Sequence, residues 1–156
     1  MISTVVWGTG NVGRAAIRAV EAHPALTLTA VLVHNPDKTG RDAGELAGLE
    51  RPLGVTATDG IEAVLAARPD AVVYAASGDI RPDDALADIT RAIRAGAVVV
   101  SPALYPLYDQ RNAPPEFRDP VHGAREGGAR AQIGPPVDPR GGELRTARRV
   151  SRHPTP

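Results

Sequence analysis

Gly8-Thr9-Gly10-Asn11-Val12-Gly13 is the stretch on which the reading of this chain turns. A continuous apolar, β-branched run, Ile2–Trp7, leads into it. A helical pattern, Arg14–Ala22, leads out, with Ala16, Ile17 and Val20 on one stripe. G-x-G-x-x-G carries meaning only between a strand and a helix, and both flanks are present. Each glycine then has its own task. Gly8 allows the tight turn, Gly10 lets the backbone approach a pyrophosphate because it has no Cβ, and Gly13 lets the helix pack close to the sheet. The first N–H groups of the helix lack intrahelical partners and, with the helix dipole, favour an anion. The bland alternative is a glycine-rich turn that binds nothing.

Outward from the turn, strands and helices alternate. Ile2–Trp7 reads as a buried parallel strand. His23-Pro24 stops the first helix. Leu26–Val33 is the second strand and His34-Asn35-Pro36-Asp37 a turn. Residues 38–54 are polar and glycine-rich, with Leu46 and Leu49 as anchors before Leu53. Val55–Thr58 is a short third strand, followed by a helix over Gly60–Ala67 with Asp59 as N-cap and Ile61, Val64 and Leu65 inward. Asp70–Ala76 is the fourth strand. A helix from Pro82 to about Ala95 carries Asp83 and Asp84 at its positive end and closes with Gly96 as C-cap. Ala97–Val100 is the fifth strand. Such alternation predicts right-handed crossovers and an α/β fold: a Rossmann-like parallel sheet of about five strands, helices on both faces, followed by an irregular tail. Ligands of such sheets lie beyond the carboxyl ends of the strands. The loops of interest are therefore Gly8–Gly13, His34–Lys38, Ala75–Ile80 and Ser101–Tyr105.

The 156 residues suit one domain. Eighteen basic and eighteen acidic side chains balance, which points to no polyanionic partner such as nucleic acid. There is no cysteine, hence no thiolate chemistry. The N-terminus lacks the pattern of a secretory signal, and no apolar run approaches the ~20 residues that span a bilayer. A cytoplasmic protein with no membrane partner is the expectation. Residues 106–156 hold 9 of the 15 prolines and 9 of the 17 arginines, with sparse large apolar residues. The division expected is a dinucleotide-binding domain over 1–105 and a Pro/Gly/Arg-rich disordered tail over 106–156, with room for one short helix at 115–125.

Two stretches carry a family resemblance: Val6–Arg14, and Gly40-Arg41-Asp42-Ala43-Gly44-Glu45-Leu46-Ala47-Gly48 followed by Gly54-Val55. Together they resemble the N-terminal domain of dihydrodipicolinate reductase. More closely, they are similar to reductase-like NAD(P)-dependent proteins of actinobacteria, a group similar to 2,4-diaminopentanoate dehydrogenase. The resemblance covers residues 1 to about 105, with a weaker echo through Glu116–Gly128. It implies a two-domain oxidoreductase whose N-terminal domain binds NAD(P)H and whose second domain binds substrate. By position, Gly8, Thr9, Gly10, Asn11, Val12 and Gly13 would cradle the pyrophosphate. Ala75 and Ala76 would lie along the ribose and nicotinamide, and Ser101 and Pro102 would approach the nicotinamide ring. The family runs to about twice this length. Past about Ala129 the chain matches nothing in the pattern, and its Pro-Arg-Gly-Gly and Arg-Arg runs are those of a shifted reading frame in GC-rich DNA. The expectation is a truncated or frameshifted product.

An acid at the end of the second strand binds the ribose 2′-OH of NAD. Here that place reads Val33-His34-Asn35. Asp37 lies three residues too far, and Lys38 and Arg41 follow. A missing carboxylate with nearby cations favours NADP over NAD, and makes His34 and Lys38 candidate cofactor residues. Asp83, Asp84 and Asp88 are read as helix charge, not a metal site. The four histidines are too scattered for ligand spacing, and neither Ser77 nor Ser101 sits in a Gly-x-Ser-x-Gly turn. No metal is expected, and no catalytic acid or base is identifiable. The function expected is the NAD(P)H-binding domain of an oxidoreductase acting on an imine or amino-acid-derived small molecule. The alternatives are a non-catalytic nucleotide-binding module or remnant, and a subunit needing a separate catalytic domain. An oligomer is compatible with either.

Overall fold

The computed structural model describes residues 1–109 and 111–126. Five strands form one sheet: β1 (Ile2–Trp7), β2 (Leu26–Leu32), β3 (Ala57–Thr58), β4 (Ala71–Tyr74) and β5 (Val98–Val100), in the order β3-β2-β1-β4-β5. Every pairing between them is parallel. The helices are α1 (Asn11–Ala22), α2 (Ala43–Ala47), α3 (Ile61–Ala66), α4 (Pro82–Arg94) and α5 (Pro115–Glu126), with 3₁₀ turns at Pro36–Lys38 and Tyr105–Leu107. The α/β alternation read from the sequence is therefore the architecture. Among the described residues, no helix is long and apolar enough to cross a membrane.

The continuous apolar run of β1 is explained by burial on both sides. Val5 and Trp7 face one cluster with Leu32, Val72, Tyr74, Ile89, Ile93 and Val99; Val6 faces another with Ile17, Val20, Val31, Leu46 and Ala57. Helices α3, α4 and α5 cover the first face, α1 and α2 the second. At the amino ends of the strands, Ser3 fastens β1 to β4. Its N–H and hydroxyl both donate to Asp70 Oδ2, at 2.8 and 2.6 Å.

Three local details differ from the sequence expectations. Residues 43–47, assigned to no element from sequence, form α2; Asp42 caps it by accepting from the Gly44 N–H at 2.7 Å, and Gly48 ends it at φ 74°. Asp59 does not cap α3: Gly60 occupies that position and makes no side-chain cap, and its own N–H donates to Thr58 Oγ1 at 3.0 Å. Helix α1 begins at Asn11, three residues ahead of Arg14, because Gly10 itself serves as its N-cap.

Residues 105–109 and 111–126 stay on the body of the fold. Leu107, Ala113, Val121 and Ala124 are buried in the α4-side cluster, and Phe117 packs against it. Phe117, Val121 and Ala124 are spaced i, i+4, i+7, one stripe of a helix. The tail read as disordered lies, from residue 127 onward, outside the described residues, as does the stretch read as frame-shifted.

Candidate dinucleotide-binding site

The sheet order reverses at β1. From β1 the chain steps outward to β2 and β3, then returns to place β4 on β1's other side. The crevice at such a switch point is where open α/β sheets bind ligands. Here it falls between the ends of β1 and β4, where the glycine turn meets Ala75. The strand ends are tied there: the Gly8 N–H donates to the Leu32 carbonyl at 2.8 Å, and the Ala75 N–H to the Trp7 carbonyl at 2.7 Å.

The three glycines differ physically. Gly8 has φ 104°, left-handed backbone that disfavours a side chain, and a Cβ there would come within 2.8 Å of the Ala76 nitrogen. Gly13 is the packing glycine. A Cβ on it would overlap the Gly8 carbonyl oxygen and reach 2.6 Å from its carbon. Gly10 is different: its φ is −74°, and a Cβ would have nothing within 4 Å. The space above Gly10 is therefore open, next to the N–H groups of Asn11, Val12 and Gly13, which have no intrahelical acceptor. Open space over a glycine beside free helix N–H groups fits a pyrophosphate.

Gly8, Thr9, Gly10, Val33, His34, Asn35, Lys38, Ala75, Ala76, Ser77 and Arg81 line one cleft of about 210 Å³. So Gly8, Thr9, Gly10, His34, Lys38, Ala75 and Ala76, named from sequence, come together. Asn11 and Val12 sit exposed on the first turn of α1, with Gly13 buried beneath. Ser101 and Pro102 are not part of the cleft's lining. The Ser101 hydroxyl donates to the Tyr74 carbonyl at 2.9 Å and accepts from the Ala103 N–H at 3.0 Å, which fastens β5's exit to β4. The Pro102 carbonyl accepts from the Tyr108 hydroxyl at 2.9 Å. A larger cavity of about 360 Å³ lies between α3 and the sheet, lined by Val5, Ala30, Val64 and neighbours. Its lining is mainly apolar and holds no charged side chain.

The cleft is cationic. Asn35 caps the 3₁₀ turn Pro36–Lys38 by accepting from the Asp37 N–H at 2.9 Å. That turn carries Lys38 over the glycine loop, where Nζ donates to Thr9 Oγ1 at 3.1 Å and to the Thr9 carbonyl at 3.3 Å. Arg81 joins it from the segment before α4, with Asp84 3.5 Å away. Sequence reasoning missed Arg81, which lies one residue past the loop Ala75–Ile80. Arg41, counted among the cations near a ribose phosphate, is instead paired with Glu45 at 2.8 Å on α2 and does not line the cleft. His34 lines the cleft and stacks on Trp7, with centroids 6.4 Å apart and planes at 27°.

Behind His34 lies a buried polar group that the sequence did not connect to the site. Asp88 on α4 is 6% exposed, accepts from the Tyr74 hydroxyl at 3.2 Å and stands 3.7 Å from His34 Nε2. Burial pushes the Asp88 carboxyl above the usual range, while Tyr74, His34 and Arg91 pull it back. Burial and the Asp88 charge push the Tyr74 phenol up.

Residues 2–100 match the family described as dihydrodipicolinate reductase, N-terminus. The chain is 78% identical over 139 residues to an amine dehydrogenase of Streptomyces virginiae, covering 89% of this chain and 39% of that protein. It is 43% identical over 56 residues to a 4-hydroxy-tetrahydrodipicolinate reductase of Nostoc sp., covering 36% of this chain and 20% of that one. The solved structure of the amine dehydrogenase from Mycobacterium smegmatis superposes with a TM-score of 0.70 at 25% identity, covering 85% of this chain and 38% of that chain. The chain thus spans well under half the length of these relatives. With a matched region that runs from the first strand through the last, the chain belongs to the dihydrodipicolinate reductase N-terminal family, a Rossmann-like NAD(P)-binding domain.

Proposed function

We propose that residues 1–105 bind NADP(H) in preference to NAD(H), with α5 bracing α4 from behind, and that the bound nicotinamide serves an oxidoreduction of an imine or amino-acid-derived substrate. Gly8–Gly13 hold the pyrophosphate through backbone N–H groups. Lys38 and His34 face the adenosine ribose, and Ala75 and Ala76 lie along the dinucleotide. Ser101 and Pro102 take the nicotinamide side. When bound, the reduced nicotinamide supplies hydride; this chain's share is to bind and orient it.

The observation that carries the NADP reading is the rim itself. Its lining holds Lys38 and Arg81 and contains no carboxylate. A ribose 2′-phosphate there meets cations, whereas a 2′-hydroxyl finds no acid to accept its proton. Titration with NADPH and NADH tests this. NADPH binds more tightly, raised salt narrows the gap because rim charges are screened, and Lys38→Ala costs NADPH about tenfold, since a charge-assisted hydrogen bond contributes roughly 1.5–3 kcal/mol. Equal affinities at low salt, or a preference for NADH, refute the reading.

The chain spans 39% of the S. virginiae amine dehydrogenase. We therefore assign the substrate and the groups that hold it to residues outside this chain, on a longer protein or on a separate subunit. A module that binds nucleotide without catalysis shares the same cleft and differs only in turnover.

A further inference from the structure

Thr9 is the first variable position of the glycine turn, and the turn itself asks little of its side chain. Gly8 supplies the left-handed backbone and Gly13 the close seating of α1. Thr9 is nonetheless only 8% exposed, and a buried hydroxyl needs a partner. Among the described residues that partner is Lys38, whose Nζ donates to Thr9 Oγ1 at 3.1 Å and to the Thr9 carbonyl at 3.3 Å. Lys38 is the only lysine of the chain, against 17 arginines. Its backbone is fastened separately. The Lys38 N–H donates to the Asn35 carbonyl at 3.0 Å, and the Gly40 N–H to the Ala57 carbonyl of β3 at 2.8 Å. An ammonium carries three N–H donors on a compact, rotatable head, whereas a guanidinium is a wide planar fork. Two donors placed on Thr9 leave the third for a ligand of the cleft that both residues line, and that lining holds no carboxylate to neutralise the charge.

We infer that Thr9 is a positioning residue for recognition of the ribose 2′-phosphate: its hydroxyl and carbonyl hold the Lys38 ammonium at the rim with one donor left for the anion. The inference rests on the NADP reading of the cleft. A free lysine side chain loses rotamer freedom when it meets a ligand. One already held by two hydrogen bonds loses less, so the holding contact strengthens binding of any ligand that uses the charge. NADPH uses it through the 2′-phosphate; NADH, with a hydroxyl there, does not. The contact therefore acts on the difference between the two dinucleotides. It also ties the glycine turn to the loop after β2, two segments that are 29 positions apart in the chain.

The experiment measures the ratio Kd(NADH)/Kd(NADPH) on the whole chain at low salt. Lys38→Met lowers the ratio about tenfold, the loss expected for a charge-assisted hydrogen bond. Thr9→Val, which keeps the shape and removes the hydroxyl, or the smaller Thr9→Ala, lowers it about threefold, as for one neutral acceptor. Thr9→Ser restores it. In the Lys38→Met background Thr9→Val no longer changes the ratio, because the two side chains act as a unit. A second readout needs no cofactor. With a single lysine in the chain, amine acylation followed by mass spectrometry reports on Lys38, and the Met1 amine serves as internal reference. Lys38 of ligand-free Thr9→Val acylates faster than that of the unsubstituted protein, and saturating NADPH protects Lys38 more than saturating NADH does. A ratio unmoved by Thr9→Val and Thr9→Ala, no recovery in Thr9→Ser, an equal loss in the Lys38→Met background, or an unchanged acylation rate overturns the inference and leaves the NADP reading standing. Equal affinities of the unsubstituted protein for the two dinucleotides overturn that reading and the inference with it.

Discussion

Gly10 and Gly13 are three residues apart in one motif, yet alanine at each has a different consequence. At Gly13 the new Cβ would overlap the Gly8 carbonyl oxygen and stand 2.6 Å from its carbon, both backbone atoms of the turn. Neither can rotate away as a side chain would. Either α1 lifts off the turn or the turn moves, and Gly8 is itself hemmed in by the Ala75–Ala76 backbone. Overpacking of this kind costs typically 1–3 kcal/mol, and contact with fixed backbone puts Gly13→Ala at the upper end, about 3 kcal/mol. At Gly10 the Cβ meets nothing, and φ −74° with ψ −166° is open to any residue. A smaller unfolded-state entropy contributes roughly 0.4–1 kcal/mol in its favour, and a weaker N-cap costs about the same. Gly10→Ala therefore leaves stability within about 1 kcal/mol. Its methyl group, however, enters the space assigned to the pyrophosphate, and NADPH affinity falls at least tenfold, about 1.4 kcal/mol. Urea denaturation with calorimetric titration on both variants reads the two effects separately. A Gly13→Ala protein as stable as the parent would refute the seating of α1 on the turn. Unchanged affinity in Gly10→Ala would put the phosphates elsewhere.

Asp42 accepts from the N–H groups of Leu53, Gly54 and Gly44. Those bonds, Leu53's first, hold its carboxyl below the usual range. Its contribution to stability is thus present above the unfolded carboxylate value and lost as pH falls through the lower folded value. Asp42→Asn should lower Tm at neutral pH and flatten the acid limb of a Tm–pH curve; an unchanged acid limb would count against it. Val121 is 1% exposed in α5, so Val121→Ala should cost about 2 kcal/mol in urea denaturation, and a null effect would mean that α5 does not brace α4. On the assignment of substrate contacts to residues outside this chain, the purified protein should bind NADPH without consuming it when dihydrodipicolinate or related imines are added, because positioning supplies ~7–11 kcal/mol of such a barrier. Substrate-dependent loss of reduced-cofactor absorbance would refute that assignment.

What could be read from the sequence was local. Strand β1, the glycine turn and α1 are contiguous, and their signals act within a few residues: β-branched apolar side chains, a left-handed backbone at Gly8, a Gly13 whose Cβ would meet Gly8, and an apolar stripe at Ile17 and Val20. Short elements were harder. Helix α2 has five residues, too few to show a period, and its cap is visible only once Asp42 is seen to reach Gly44, Leu53 and Gly54 together. Phe117, Val121 and Ala124 make a stripe of three in a proline-rich stretch with Pro120 inside it. The sequence left room for one short helix over 115–125 there, and α4 supplies the surface that its burial requires.

The site divides along the same line. The turn proposed to hold the pyrophosphate was legible because its signal is three glycines spaced over six residues. His34 and Lys38 were found through their place after β2. Arg81 entered the cleft, and Arg41 left it for Glu45, on account of loop paths that no spacing rule specifies. Asp88 stands 54 positions from His34 and meets it only because β4 returns to the other side of β1, bringing α4 over the carboxyl end of the sheet. The sequence by itself determined that a strand, a glycine turn and a helix would follow one another there, since that depends largely on the local conformation of near neighbours. Which charges surround the cleft was decided by tertiary structure, because strand order, not sequence distance, sets which side chains share a low-dielectric space.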